Sequence, residues 1–126
     1  MRAMNAPASN GRLPREPARQ LAVLTCMDCR IDPLRALGLA FGDAVVLRNG
    51  GAQWTDDVAR SLQLSLGLGV TAVQVVAHTD CAAYGGDDAA AEAGARRTAE
   101  RIRAEIPVLR VATAMLDLET GASRDC

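Results

Sequence analysis

Two short apolar runs, each ending in a chemically unusual motif, constrain the fold of this chain more than any other feature. Gln20–Thr25 (QLAVLT) runs into Cys26-Met27-Asp28-Cys29-Arg30, and Ala72–Ala77 (AVQVVA) runs into His78-Thr79-Asp80-Cys81. Apolar runs this short, bounded by polar motifs, read as strands rather than helices. Continuous apolarity, as opposed to alternation, marks strands covered on both faces, as in a parallel sheet. Open parallel sheets put their sites beyond the carboxyl ends of the strands. The two motifs fall there, and they contain the only histidine of the chain.

The remaining pattern alternates strand and helix. Asp32 is an N-cap candidate with Pro33 at the first helical position, which predicts a short helix over Asp32–Leu39. A Phe41-Gly42-Asp43 turn leads to a strand over Ala44–Leu47 and a glycine-rich loop, Arg48-Asn49-Gly50-Gly51-Ala52. Thr55 caps a helix to about Leu68, with Asp56 and Asp57 where the helix dipole favours negative charge. Val58, Leu62 and Leu66, with Ala59 and Leu64, are expected to give that helix one buried stripe. Tyr84–Asp88 reads as a loop, Ala89–Glu105 as a helix in spite of Gly94, and Val111–Leu118 as a last strand before a Thr120-Gly121 turn.

This order predicts the α/β class: a single domain with a mainly parallel sheet, strand order 2-1-3-4, helices on both faces and right-handed crossovers. Connections leaving strands one and three then diverge and open a crevice between the two motifs. Residues 1–19, polar with several Pro and Arg, read as a flexible lead-in, and residues 20–126 as the domain.

The formal net charge of −1 argues against nucleic-acid or membrane-surface binding. No apolar stretch approaches the roughly 18 residues of a membrane-spanning helix. The lead-in lacks the apolar centre of an export signal, so the four cysteines are expected as ligands or free thiols and the chain as cytoplasmic.

Soft thiolates with an imidazole are zinc ligands, and three protein ligands leave one coordination position for chemistry. Cys26, His78 and Cys81 are the candidate metal ligands. Asp28 can accept a hydrogen bond from a metal-bound water, or it can take the fourth position itself and close the site. Arg30 can hold Asp28 through a bidentate fork. Cys29 leaves two further readings open: a closed four-ligand structural zinc site, and a Cys26-x-x-Cys29 redox pair. Strand alternation would point Cys29 away from Cys26.

Around these, Asp80 reads as a loop residue, and Arg48 either as an interface partner or as a solvated charge. Asn49, Gly50 and Gly51 are expected to shape a tight turn. Trp54 and Tyr84 flank the motif loops and are expected to pack there, with lining of the crevice as the alternative, and Arg96, Arg97, Arg101 and Arg103 are expected to form an exposed helix face. Cys126 is expected as a free, mobile thiol.

Taken together, Cys26-x-Asp28-x-Arg30, Arg48-Asn49 with its glycines, Asp56-Asp57, His78-x-x-Cys81 and Asp117–Gly121 (DLETG) resemble the β-class carbonic anhydrase family. The resemblance implies Zn2+ held by Cys26, His78 and Cys81, with Asp28 and Arg30 as the catalytic pair. It also implies reversible hydration of carbon dioxide to bicarbonate by zinc-bound hydroxide, in a homodimer or higher homo-oligomer. In some members the aspartate occupies the fourth zinc position in a closed state. Relatives hydrolyse carbonyl sulfide or carbon disulfide with the same ligands, so fold alone does not settle the substrate. Cys29 and Ala82 stand where the family commonly has Ser and Gly. The chain is compact, with little room for an N-terminal arm or for a long insertion before the last strand.

Overall fold

A computed structural model describes residues 9–126. The apolar runs become strands whose carboxyl ends carry the motifs: β1 (Leu21–Cys26) ends on Cys26, and β3 (Ala72–His78) on His78. Both pair in parallel, Leu21 opposite Ala72 through Thr25 opposite Val76, so the two motif loops leave the same edge side by side. On the other side of β1 lies β2 (Ala44–Asn49), also parallel, which brings Asn49 level with Cys26. β4 (Arg110–Leu116) pairs in parallel with β3, and β5 (Ser123–Asp125) pairs antiparallel with β4. The sheet order is therefore β2-β1-β3-β4-β5, the expected 2-1-3-4 with one added edge strand.

β5 was not expected because its three residues are polar and exposed and carry no alternation. Pairing is imposed by the turn before it. Asp117 takes N–H groups from Glu119 on its side chain and from Gly121 on its carbonyl, both at 2.8 Å, and Gly121 has φ +76. That turn stops β4 at Leu116, two residues before the expected end. Cys126 is a free thiol whose backbone is tethered to β4: its N–H donates to Thr113 O at 3.1 Å, and the Thr113 hydroxyl donates to its carbonyl at 2.8 Å.

The helices follow their caps. Asp32 caps a helix that is shorter than expected, α1 (Pro33–Ala36), and Thr55 caps α2 (Asp56–Gly67) through its hydroxyl and Val58 N. Of the expected α2 stripe, Val58 and Leu62 are buried, but Leu64 is exposed, because it lies two residues from Leu62 and so about 200° round the helix. The loop before the third helix is partly ordered into a 3-10 turn at Ala82–Tyr84. Asp87 then caps α3 (Asp88–Glu105). With right-handed crossovers, the connections from β1 to β2 and from β3 to β4 lie on opposite faces of the sheet.

The core is aliphatic. Ala22, Val23, Leu24, Leu62, Val75, Ala95, Ala99 and Ile102 have no exposed surface. Small residues on the buried stripe of α3 let that helix lie close to the sheet, and full burial of one Leu or Ile contributes about 1.5–3 kcal/mol. Of the expected flexible lead-in, residues 1–8 lie outside the described residues. Its last part is pinned: Pro17 is buried, Ala18 N donates to Gly42 O at 2.7 Å and Arg19 N to Asp43 O at 3.0 Å.

Candidate metal centre

Cys26, His78 and Cys81 are all buried at the carboxyl edge of the sheet, and their ligating atoms lie within 4.8 Å of one another. The Cys26 and Cys81 sulfurs are 3.9 Å apart, and both cysteines are free thiols. Two sulfurs each bound at about 2.3 Å to one tetrahedral ion would stand about 3.8 Å apart, so this spacing suits a shared cation.

His78 fits the same purpose. Its Nδ1 lies 2.7 Å from Thr79 O, and because a carbonyl only accepts, Nδ1 carries the proton. The lone pair is then on Nε2, which is buried and has no hydrogen-bond partner among the described residues. An orphaned acceptor of that kind costs roughly 1–3 kcal/mol when nothing occupies its lone pair. Burial raises the Cys81 pKa, and the neighbouring Cys26 raises it further, against the Ala83 and Tyr84 amides that lower it. A cation between the three donors would remove both penalties, ionising the thiols and using the imidazole lone pair. The donor set of two thiolates and an imidazole suits zinc.

Asp28 stands at the edge of the cluster, its Oδ2 3.9 Å from His78 Nε2. Arg30 binds it in a fork, Nε to Oδ1 at 3.0 Å and Nη2 to Oδ2 at 2.7 Å, and the Arg30 amide donates to Oδ1 at 2.8 Å. The guanidinium hydrogen bond, then the amide one, hold the Asp28 pKa well below the usual carboxylate range. Asp28 is therefore a fixed anion near neutral pH. Above this floor is a cavity of about 630 Å³ lined by Cys26, Met27, Asp28, Cys29, Gly50 and Ala82 among others. Met27 is largely exposed at its mouth.

Three contacts were not anticipated from the sequence. Arg48 is exposed yet anchored within its own chain: its Nε donates to Cys26 O at 2.9 Å and its Nη2 to Asp28 O at 2.8 Å. It pins the loop that carries two site residues. Asp80 is the second partner of Arg30, which reaches its Oδ2 at 3.2 Å and its carbonyl at 3.0 Å, tying the β1 loop to the β3 loop. Gly51 N donates to Cys26 Sγ at 3.3 Å. The only advance signal for these was proximity at the strand ends, which does not choose partners.

Cys29 is exposed and lies outside the cluster, as alternation along the strand end suggested. Trp54 and Tyr84 line a different cavity from the one over the thiols.

A family model described as carbonic anhydrase matches residues 21–123, spanning every element that builds this site. The β-carbonic anhydrase 1 of Mycobacterium tuberculosis is 44% identical over 77 residues. The chain belongs to the β-carbonic anhydrase family. That alignment covers 60% of this chain and 47% of the mycobacterial protein, so the chain spans about half the length of the curated relative it matches. A carbonic anhydrase of Streptococcus mutans superposes with a TM-score of 0.83 at 31% identity, covering 93% of this chain and 87% of that one. A second kind of relative appears as well. The carbon disulfide hydrolase of Acidianus sp. (strain A1-3) is 45% identical over 64 residues, 50% of this chain and 31% of that protein.

Proposed function

We propose that this β-carbonic anhydrase family member is a zinc enzyme that hydrates carbon dioxide reversibly to bicarbonate, with residues 20–126 as the working unit. Cys26, His78 and Cys81 hold the metal, and Asp28 and Arg30 are the catalytic pair. The observation that carries the reading is the unpartnered His78 Nε2, facing two thiols 3.9 Å apart with an ionised carboxylate beside it.

A zinc ion at these donors would supply Lewis acidity, which brings the pKa of a coordinated water to about 7. The chain's residues do the rest. Asp28 Oδ2 accepts a hydrogen bond from the attacking water and so aims a lone pair at the carbon of the substrate. With its pKa depressed, Asp28 keeps no proton at neutral pH, so the proton released on hydration passes to solvent. Arg30 keeps the carboxylate ionised and oriented, and Arg48 fixes the backbone beneath both. Both Asp28 oxygens are engaged by Arg30, which favours a resting site with the carboxylate turned toward the guanidinium and away from the metal. The Met27 and Ala82 lining makes the cavity mainly apolar and suited to a small uncharged gas.

The cavity and the hydrolase relative support carbon disulfide and carbonyl sulfide as competing substrates. A closed structural zinc would need a fourth protein ligand, and Cys29 is outside the cluster. The four free thiols fit a reducing compartment, hence the cytoplasm. Self-association would use the open edge of β2, which carries the exposed Val46.

The deciding experiment is stopped-flow hydration by zinc-loaded and chelator-stripped protein, run beside carbonyl sulfide and carbon disulfide hydrolysis. Zinc-dependent carbon dioxide turnover is expected. Turnover of only the sulfur substrates would reassign the site, and no turnover with zinc bound would leave the metal a structural role.

A further inference from the structure

A second cavity, of about 580 Å³, lies between the Gln53-Trp54 segment and α3 and shares no lining residue with the one over the thiols. Trp54, Tyr84, Arg97, Thr98 and Arg101 are among its walls. Two of the three aromatic residues in the whole chain are therefore spent on this one place. Its size falls within the range of small-molecule sites.

The walls are fixed from three sides. The Thr98 hydroxyl donates to Ala52 O at 3.0 Å and ties the glycine-rich loop to α3, holding Ala52 in a left-handed conformation, φ +53. The Arg101 guanidinium sits over the Trp54 ring at 5.7 Å. The Tyr84 phenol packs directly against Gly94, and its ring reaches Gly51 on the other side.

The chemistry of the lining is unbalanced. Among the arginines of α3, Arg96 pairs with Glu92, Arg101 with Glu105, and Arg103 donates to Val111 O. Arg97, exposed at the rim, alone has neither an ion pair nor a hydrogen bond among the described residues, and it borders the cavity. The Tyr84 hydroxyl likewise makes no hydrogen bond among the described residues. Glu100 is the single acidic group in the lining, so the two guanidiniums leave it one positive charge in excess.

We propose that this cavity binds a small planar carboxylate of the aromatic-acid class. Arg97 pairs with the carboxylate through its fork, the Tyr84 hydroxyl donates to the same anion, and the aromatic ring lies against the Trp54 side. The rim guanidinium of Arg97 and the Tyr84 phenol suit an anion, and the aromatic walls suit a planar ring. A three-atom gas would leave most of the volume empty, so this is not a second substrate pocket.

Trp54 is the only tryptophan of the chain, and its emission therefore reports on the cavity without reference to catalysis. The test is a titration of the intact protein with benzoate, and with neutral benzamide as its isostere. Benzoate should change the emission saturably, and benzamide should bind about tenfold more weakly or worse. Arg97→Gln should weaken benzoate by a similar factor with the circular dichroism unchanged, and Tyr84→Phe by a smaller one. The absence of a saturable change would overturn the proposal, as would equal binding of benzamide or an unaltered Arg97→Gln. Emission that followed protein concentration and ignored benzoate would overturn it too, and would give this face to a second copy of the chain. None of these readings depends on carbon dioxide turnover, so the cavity and the proposed hydration stand or fall separately.

Discussion

Arg30 grips both carboxylate oxygens of Asp28 while its remaining nitrogen reaches Asp80, so one guanidinium joins the loops that follow β1 and β3. Two jobs are combined in that contact: it keeps Asp28 ionised, and it fixes where the anion points relative to His78. Asp28→Asn retains a hydrogen-bonding group but loses the charge, and Arg30→Ala frees the carboxylate to turn. Each variant should hold zinc near the wild-type stoichiometry and lose about a hundredfold or more in hydration rate. Metal analysis alongside stopped-flow rates checks both halves. Unchanged turnover in Asp28→Asn would remove its assigned role.

The two thiols in the β1 loop should behave oppositely. Cys26 is buried in the cluster, and Cys29 is exposed outside it. Cys29→Ser should leave zinc content and thermal midpoint within error of wild type. Cys26→Ala should bind zinc far more weakly, read by competition with a chromophoric chelator. Zinc loss in Cys29→Ser would revive the four-ligand structural reading.

Most of this architecture was legible in the sequence because it rests on local signals. The apolar runs gave β1 and β3, Asp32 and Thr55 gave helix starts, and divergence of the connections gave the strand order. Cys26, His78 and Cys81 were legible because strand ends converge there. β5 was not legible: Ser123–Asp125 has no pattern of its own and is a strand only because β4 offers a free edge. The partners of Arg48 and Asp80 were hidden for a related reason. A long cation among loops has many reachable acceptors, and only the assembled backbone selects the carbonyls of Cys26 and Asp28.

The same clamp gives a prediction. Arg48→Ala leaves two loop carbonyls without their charged donor, and a hydrogen bond from a charged group contributes about 1.5–3 kcal/mol. The urea midpoint should fall accordingly, with discounting for partial solvent access, and zinc should be released faster to a chelator. A variant with normal stability and normal release would show that the loop holds itself.

Gly94 looked like a defect in α3, since Gly costs a helix interior about 1 kcal/mol relative to Ala. The structure gives the reason: any Cβ at Gly94 would collide with the Tyr84 phenol. Gly94→Ala should therefore destabilise by about 1–3 kcal/mol, against its helix propensity. In a double-mutant cycle with Tyr84→Ala the penalty should largely vanish. A more stable Gly94→Ala would mean that Tyr84 shifts freely.

The acid response of the β5 edge follows from Glu92, which receives Arg124 in a fork, Nη1 to Oε1 at 2.9 Å and Nη2 to Oε2 at 3.1 Å. The hydrogen bond from Arg124 is the main reason the Glu92 pKa is lowered. A carboxylate whose folded pKa lies below its unfolded one, ordinarily about 4.3, binds more protons when unfolded. Its contribution is complete above that ordinary value and drains away as pH falls through the lower folded one. Wild type should thus exceed Glu92→Gln in stability at neutral pH, and the two should converge as the pH drops below about 4. Because the pair is on the surface, added salt should narrow the neutral-pH gap. Urea midpoints across pH at two ionic strengths measure both effects, and a gap that persisted in strong acid would mean that Glu92 acts through packing and not through its charge.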